Sequence, residues 1–307
     1  MNTQSAANAA RADFPGTRRG PVLRVLLLCV LTTAAASAQG TVDERMAADP
    51  RGKVEVGNVA GRVQVEGWEQ HEVAVTGTLG RGVKEVRLER HGGTIEVEVV
   101  HDSRFERFRD HGEARLVVQV PRASEVEVEC VSADVVASGL TGDLEVDAVS
   151  GDVTVDVASA AVHAGSVTGD LELRSTRGFV KAGSVSGGIG VRLVSGEVVL
   201  ESVSGDIEAR VDSLEKGRAE SLSGDLRFEG DLAAAGRLKL DTKTGDIELR
   251  LPGQVSAEVE LEVFSGDVES DFGSGGQDPG DWNLTLGGGG ARIEASTFSG
   301  DIELRRE

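Results

Sequence analysis

Val149-Ser150-Gly151-Asp152-Val153-Thr154-Val155-Asp156-Val157 contains both parts of a repeating unit, a tight corner at Ser-Gly-Asp and a short strand of alternating apolar and polar residues. Val149, Val153, Val155 and Val157 are expected on one face, with Thr154 and Asp156 on the other, the period-two signature of a strand with one buried side. On this register Gly151 has inward parity. A glycine there takes φ > 0 and lets the backbone turn without a side chain striking the coil below. Ser150 and Asp152 flank it outside, where hydroxyl and carboxylate oxygens accept hydrogen bonds from corner amides.

The pattern Ser/Thr, Gly, Asp/Glu, aliphatic begins at Thr141, Ser150, Thr168, Ser195, Ser204, Ser223, Thr244, Ser265 and Ser299. Ser132-Ala133-Asp134 and Ser186-Gly187-Gly188 are relaxed copies. The glycines at 142, 151, 169, 187, 196 and 205 lie nine or eighteen residues apart, after which the steps lengthen to nineteen and then twenty-one. A nine-residue unit holds one corner and one strand about 17–20 Å long, so two units make one coil. The predicted fold is all-β, a parallel β-solenoid (β-helix) of short nine-residue half-coils. A single coil cannot bury its inner face, and stacking at about 4.8 Å per coil does so. Residues 121–307 would make around nine coils and a rod of roughly 40–50 Å.

Residues 39–120 are expected to be a β-rich N-terminal region and cap that precedes the solenoid without sharing its repeat, although 39–307 also reads as one domain. Val54-Glu55-Val56, Arg62-Val63-Gln64-Val65-Glu66, Thr94 to Val99 and Ala114 to Val120 alternate as short strands, and Pro121 closes the last. Together with this region, the charged tail Arg305-Arg306-Glu307 is the expected cap of an otherwise open end. Asp102 to Gly112 and the glycine-rich Gly273 to Gly290, broken by Pro279, read as long loops.

Residues 1–38 read as a signal peptide, with Arg11, Arg18 and Arg19 basic, Val25 to Leu31 apolar and Ala36-Ser37-Ala38 a cleavage site. The apolar run is short for a bilayer span, so no transmembrane helix is expected in the mature chain. Thr17-Arg18-Arg19 hints at twin-arginine export, but Gly20-Pro21-Val22 suits that route poorly and ordinary secretion is favoured. Removal of the leader takes away four Arg and one Asp, so a net charge of −20 becomes −20 − 3 = −23. Such a field repels phosphate backbones and excludes nucleic acid as a natural partner. Of the two cysteines only Cys130 remains, which excludes a disulfide framework within the mature chain.

Val54-Glu55-Val56 with Asn58, then Gly61-Arg62-Val63-Gln64-Val65-Glu66-Gly67-Trp68, Val118-Gln119-Val120-Pro121 and the Ser-Gly-Asp run resemble the bacterial putative adhesin family, a cell-envelope domain of unknown function. The resemblance spans about residues 50–307 and implies a β-solenoid exported to the periplasm or cell surface. It supplies no catalytic residues.

Asp143, Asp152, Asp170, Asp206, Asp225, Asp246, Asp267 and Asp301 recur at corners taken as equivalent. Stacked carboxylates either bind cations, calcium being the candidate, or remain hydrated and hydrogen-bonded, and the second alternative is favoured. Cys130 continues an inward alternation and reads as a core thiol. His91, His101 and His111 lack metal-ligand spacing, Arg104 to Arg109 is interrupted by Glu106, Gly287 to Gly290 lacks a phosphate-loop Lys, and Trp68 reads as a packing anchor. These signals favour a non-enzymatic scaffold or adhesin whose partner is an envelope protein or surface glycan, with no cofactor. An envelope-stress or signalling accessory is the alternative, and a polysaccharide-active β-helix enzyme stands behind both.

Overall fold

The computed structural model describes residues 40–102, 112–273 and 281–307, and the regular elements among them are all β-strands. The leader, Arg104 to Arg109, His111 and Pro279 lie outside the described residues. The chain opens with β1 (Gly40–Ala47), β2 (Lys53–Trp68), β3 (Glu72–Leu79), β4 (Val83–His91), β5 (Thr94–His101) and β6 (Ala114–Pro121). The body comprises β7 (Glu125–Ser138), β8 (Leu144–Ser150), β9 (Val153–Val157), β10 (Ala161–Thr168), β11 (Leu171–Ser186), β12 (Ile189–Ser204), β13 (Ile207–Ser223), β14 (Leu226–Thr244) and β15 (Ile247–Leu251). It ends with β16 (Ala257–Ser265), β17 (Val268–Ser270), β18 (Asp281–Leu286), β19 (Ala291–Ser299) and β20 (Ile302–Arg306).

Val153, Val155 and Val157 are buried while Thr154 and Asp156 are exposed, because the β-branched residues alternate with polar ones on a pleat that has one dry side. Pairing in the body is parallel: Leu144 faces Val162 and Val153 faces Leu171, so each strand lies on its copy one coil away. The inner columns, among them Val146, Val155, Leu173 and Val191, are almost wholly buried. Each such side chain contributes about 1.5–3 kcal/mol. The longer coils after Gly205 absorb their extra residues as register shifts at Gly196/Glu197 and between Val211 and Lys216. Those shifts fall on the second corner of the coil, so Ser204, Ser223 and Thr244 keep their alignment on the first.

At both ends the stacking order departs from the sequence order. The boundary expected at Pro121 does not mark a change in pairing, because β2 runs in register on β7 from Lys53↔Glu125 to Glu66↔Ser138. On its other side β2 pairs in parallel with β5 and β6, so a strand made early in the chain lies inside the stack. The repeat is invisible there because β2 turns at Asn58-Val59-Ala60-Gly61 without the Gly-Asp step. Beyond it β4 lies antiparallel on β5, β3 on β6, and β1 on β3.

The other end repeats the device. Strand β19 pairs with β14 on one side and β16 on the other, and β20 lies between β15 and β17. Arg305 and Arg306 therefore sit in an internal layer, and the tail is not the cap expected of it. The Gly273 to Gly290 segment is likewise not all loop, since β18 lies antiparallel on β16. Trp282 and Leu284 pack on the core and Leu286 is buried, an alternation hidden between glycine-rich flanks. At these ends β1, β4 and β18 run antiparallel to their neighbours, and β17, three residues long, is a short parallel edge, the kind of length that limits pairing with another chain.

Candidate functional site

The Ser-Gly-Asp corners build one column along the stack. At Gly151 (φ 143°) and Gly169 (φ 148°) the backbone takes a conformation that side chains disfavour, and an added Cβ at Gly169 would lie 2.2 Å from the carbonyl oxygen of Gly151. The close approach of successive corners explains the glycine. It also brings each aspartate beside the next one. The amide of Asp152 donates to Asp134 Oδ1 (3.4 Å), Asp170 to Asp152 (3.1 Å) and Gly188 to Asp170 (2.8 Å). Further along, Asp225 donates to Asp206 (2.9 Å), Asp246 to Asp225 (3.0 Å), Asp301 to Asp246 (2.8 Å) and Asp267 to Asp301 (2.9 Å). The sequence separations of 18, 19, 21, 55 and 34 along this column trace the stack order, including the inserted β20.

Asp143 does not belong to this column. Its corner stacks on residues 122–124, with Thr141 Oγ1 donating to the Arg122 carbonyl at 3.1 Å. A coil has two corners nine residues apart, so an odd multiple of nine places a residue on the opposite edge. Of the eight, Asp152, Asp170, Asp206, Asp225, Asp246, Asp301 and Asp267 line up, with Asp134 of the relaxed repeat at the head of the column. Each donates an amide to, or accepts one from, a neighbour in the column. Among the described residues no three His, Cys, Asp or Glu are grouped so as to hold a metal ion.

Beside the aspartates runs a second column that sequence reasoning missed. Val149, expected inside, is 49 % exposed, because Ala148 takes the last inward position and the corner turns four residues, 149 to 152, to the outside or edge. Its equivalents Val131, Val167, Val185, Val203 and Leu222 are likewise 44–52 % exposed. The rows on either side of them pair, as in Ala148↔Ser166 and Ser150↔Thr168, so these side chains form a rail along the stack. After Lys243 the rail resumes with Phe298 and Phe264, whose rings stack at 4.6 Å. The signal was present in the sequence as an apolar residue immediately before most Ser/Thr-Gly-Asp corners.

On the side away from the corner aspartates, a third column contains Glu129, Asp147, Gly165, Gly183, Glu201, Glu220 and Asp241. Gly165 and Gly183 leave it hollow, and with the valine rail they bound a trough of about 840 Å³ over seven strands. Four acidic residues line the trough, Glu98, Glu129, Asp147 and Glu201, and no Lys or Arg among the described residues does. The floor includes Cys130, which burial holds protonated by pushing its pKa up to about 11 against an opposing backbone hydrogen bond at Asn58. His91 is exposed, 3.2 Å from Glu96, and Trp68 donates to the Glu72 carbonyl at 2.9 Å, a packing role.

A parallel stack through the middle of the chain, a ladder of exposed corner aspartates and an exposed apolar rail define a β-solenoid-like all-β domain. The sequence profile described as Toastrack DUF4097 matches residues 53–305, and the chain belongs to that family. The match begins at β2, the strand that the pairing places inside the stack. Among solved structures, a putative lipid binding protein from Parabacteroides distasonis is similar at 10 % identity and a TM-score of 0.51, covering 86 % of this chain and 97 % of that one. A putative adhesin from Bacteroides fragilis is similar at 16 % identity and a TM-score of 0.48, covering 69 % of this chain and 97 % of that one. No curated protein matches the chain.

Proposed function

We propose that this protein is an exported, non-enzymatic, adhesin-like scaffold that holds an envelope protein or a surface glycan. The observation that carries the reading is the rail from Val131 to Leu222, a run of half-exposed apolar side chains on a face with no covering element among the described residues. Contiguous apolar surface of this kind marks an interaction site. The corner aspartates take part in the scaffold's own hydrogen bonds, which leaves the rail and its flanks as the face offered to a partner. The leader supports export, and no described helix is long and apolar enough to cross a membrane. Crosslinking in intact cells is the test, with envelope proteins or surface glycans as the expected recovery. Cytoplasmic partners alone would overturn it.

A second reading is the binding of an amphiphile's apolar chain in the trough of about 840 Å³. The neighbour described as a lipid binding protein prompts it, at a likeness of fold only. Organic extraction of protein purified from its native host would recover a bound amphiphile on this reading and none on the first.

A further inference from the structure

The rail lies between two acidic columns. On one side stand Asp152 and Asp170, joined by a hydrogen bond, and, past the Gly188 corner, Asp206, Asp225 and Asp246, each joined to the next. On the other stand Glu129, Asp147 and Glu201, with Glu220 held by Arg218 and Asp241 by Lys239 at 3.9 Å. Apolar contact along the middle and negative potential on both flanks select a ligand with an apolar stripe bordered by cations. A second copy of this chain would bring acid against acid, and an anionic membrane would be repelled in the same way. The backbone groups of the stacked strands are engaged with one another, so the face offers side chains and few free N–H or C=O groups. A partner must then satisfy its own backbone, as a helix does.

We infer that the rail and its two acidic flanks are a docking surface for a basic amphipathic helix of a partner protein. The helix lies along the stack axis, with its apolar stripe on Val149, Val167, Val185 and Val203 and its Lys and Arg residues toward the acidic columns. From Val131 to Leu222 the rail crosses five coil spacings, about 24 Å, the length of about 16 helical residues. The inference rests on the scaffold reading and gives its partner a chemistry.

The test titrates the full chain into a fluorescein-labelled Leu/Lys amphipathic peptide of about 18 residues and reads anisotropy. Binding is expected, weakening by about tenfold between roughly 50 and 300 mM salt. Val167→Asp with Val185→Asp should weaken it by about tenfold or more while circular dichroism is unchanged. Glu129→Gln, Asp147→Asn and Glu201→Gln together leave the apolar rail intact, and should weaken it several-fold and flatten the salt dependence.

Equal binding of a Leu/Glu peptide or of a scrambled Leu/Lys peptide would overturn the proposal, as would insensitivity to both sets of substitutions. Stronger capture by phosphatidylcholine vesicles than by the peptide would assign the rail to lipid instead. Dimerisation abolished by the two valine substitutions would assign it to a second copy. In the crosslinking experiment, envelope partners that persist unchanged in the Val167→Asp, Val185→Asp variant would sink this inference and leave the scaffold reading standing.

Discussion

The middle of the molecule and its two ends obey different rules. From β7 to β14, chain order and stack order coincide, and each coil rests on the one before it. At the ends they part: β2 lies between the β5/β6 layer and β7, and β19/β20 lies between β14/β15 and β16/β17. The middle can lengthen by adding coils because every contact is local to neighbours. The ends close the stack with partners distant in sequence, such as Asp246 and Asp301, 55 residues apart. Periodic strands supply the core, and non-local closure limits its growth.

The largest effect expected is at a mid-body corner. Gly169→Val should destabilise by more than about 4 kcal/mol or abolish folding, since both its φ and the 2.2 Å approach to Gly151 forbid a side chain. In the end region, Gly57→Ala meets nothing within 4 Å, and its urea midpoint should stay close to that of the parent. Next in size, Ile293→Ala in β19 and Leu173→Ala in β11 both empty a fully buried site and should each cost about 2–5 kcal/mol. Hydrogen exchange separates the two. The β19 change should expose the amides of β16 and β18 to exchange while the middle stays protected, whereas the β11 change should loosen the middle.

A smaller contrast lies within the aspartates. Asp301→Ala removes the acceptor for the Asp267 amide and should cost about 1 kcal/mol, whereas Asp143→Ala, off the column, should shift the midpoint little. The smallest concerns Cys130. Its folded pKa of about 11 lies above the ordinary 9.0, so the unfolded chain loses its proton first as pH rises. Stability from this group is therefore intact below pH 9 and falls between 9 and about 11, a slope that Cys130→Ala should remove.

The repeat was legible because two physical demands leave marks in the residues. A dry face requires alternation, seen in Val153, Val155 and Val157, and a close corner requires glycine, seen at 151 and 169. Val149 was misplaced because strict alternation was carried into a corner where four residues turn outward or to the edge. Asp143 was grouped with the wrong column because the motif recurs every nine residues while equivalent positions recur every eighteen. The hydrogen bonds of the other corner aspartates follow the expectation that their carboxylates accept corner amides, with the donor coming from the next coil. The position of β2, the strand at Trp282 to Leu286 and the order of the last layers depend on pairings 19 to 72 residues apart that do not follow the repeat, and a one-dimensional period carries no record of those.

Cysteine crosslinking of the last layers tests the stack order most directly. In a Cys29→Ala, Cys130→Ala background, Lys239→Cys with Glu294→Cys places thiols on Cα partners, as does Glu260→Cys with Glu294→Cys. Parallel neighbours at about 4.8 Å are within disulfide reach. Mild oxidation should link 239 to 294 and 260 to 294, but not 239 to 260, because β19 stands between those two strands. Linkage of 239 to 260 with none to 294 would show that the layers follow the sequence order, and would contradict the inserted closure.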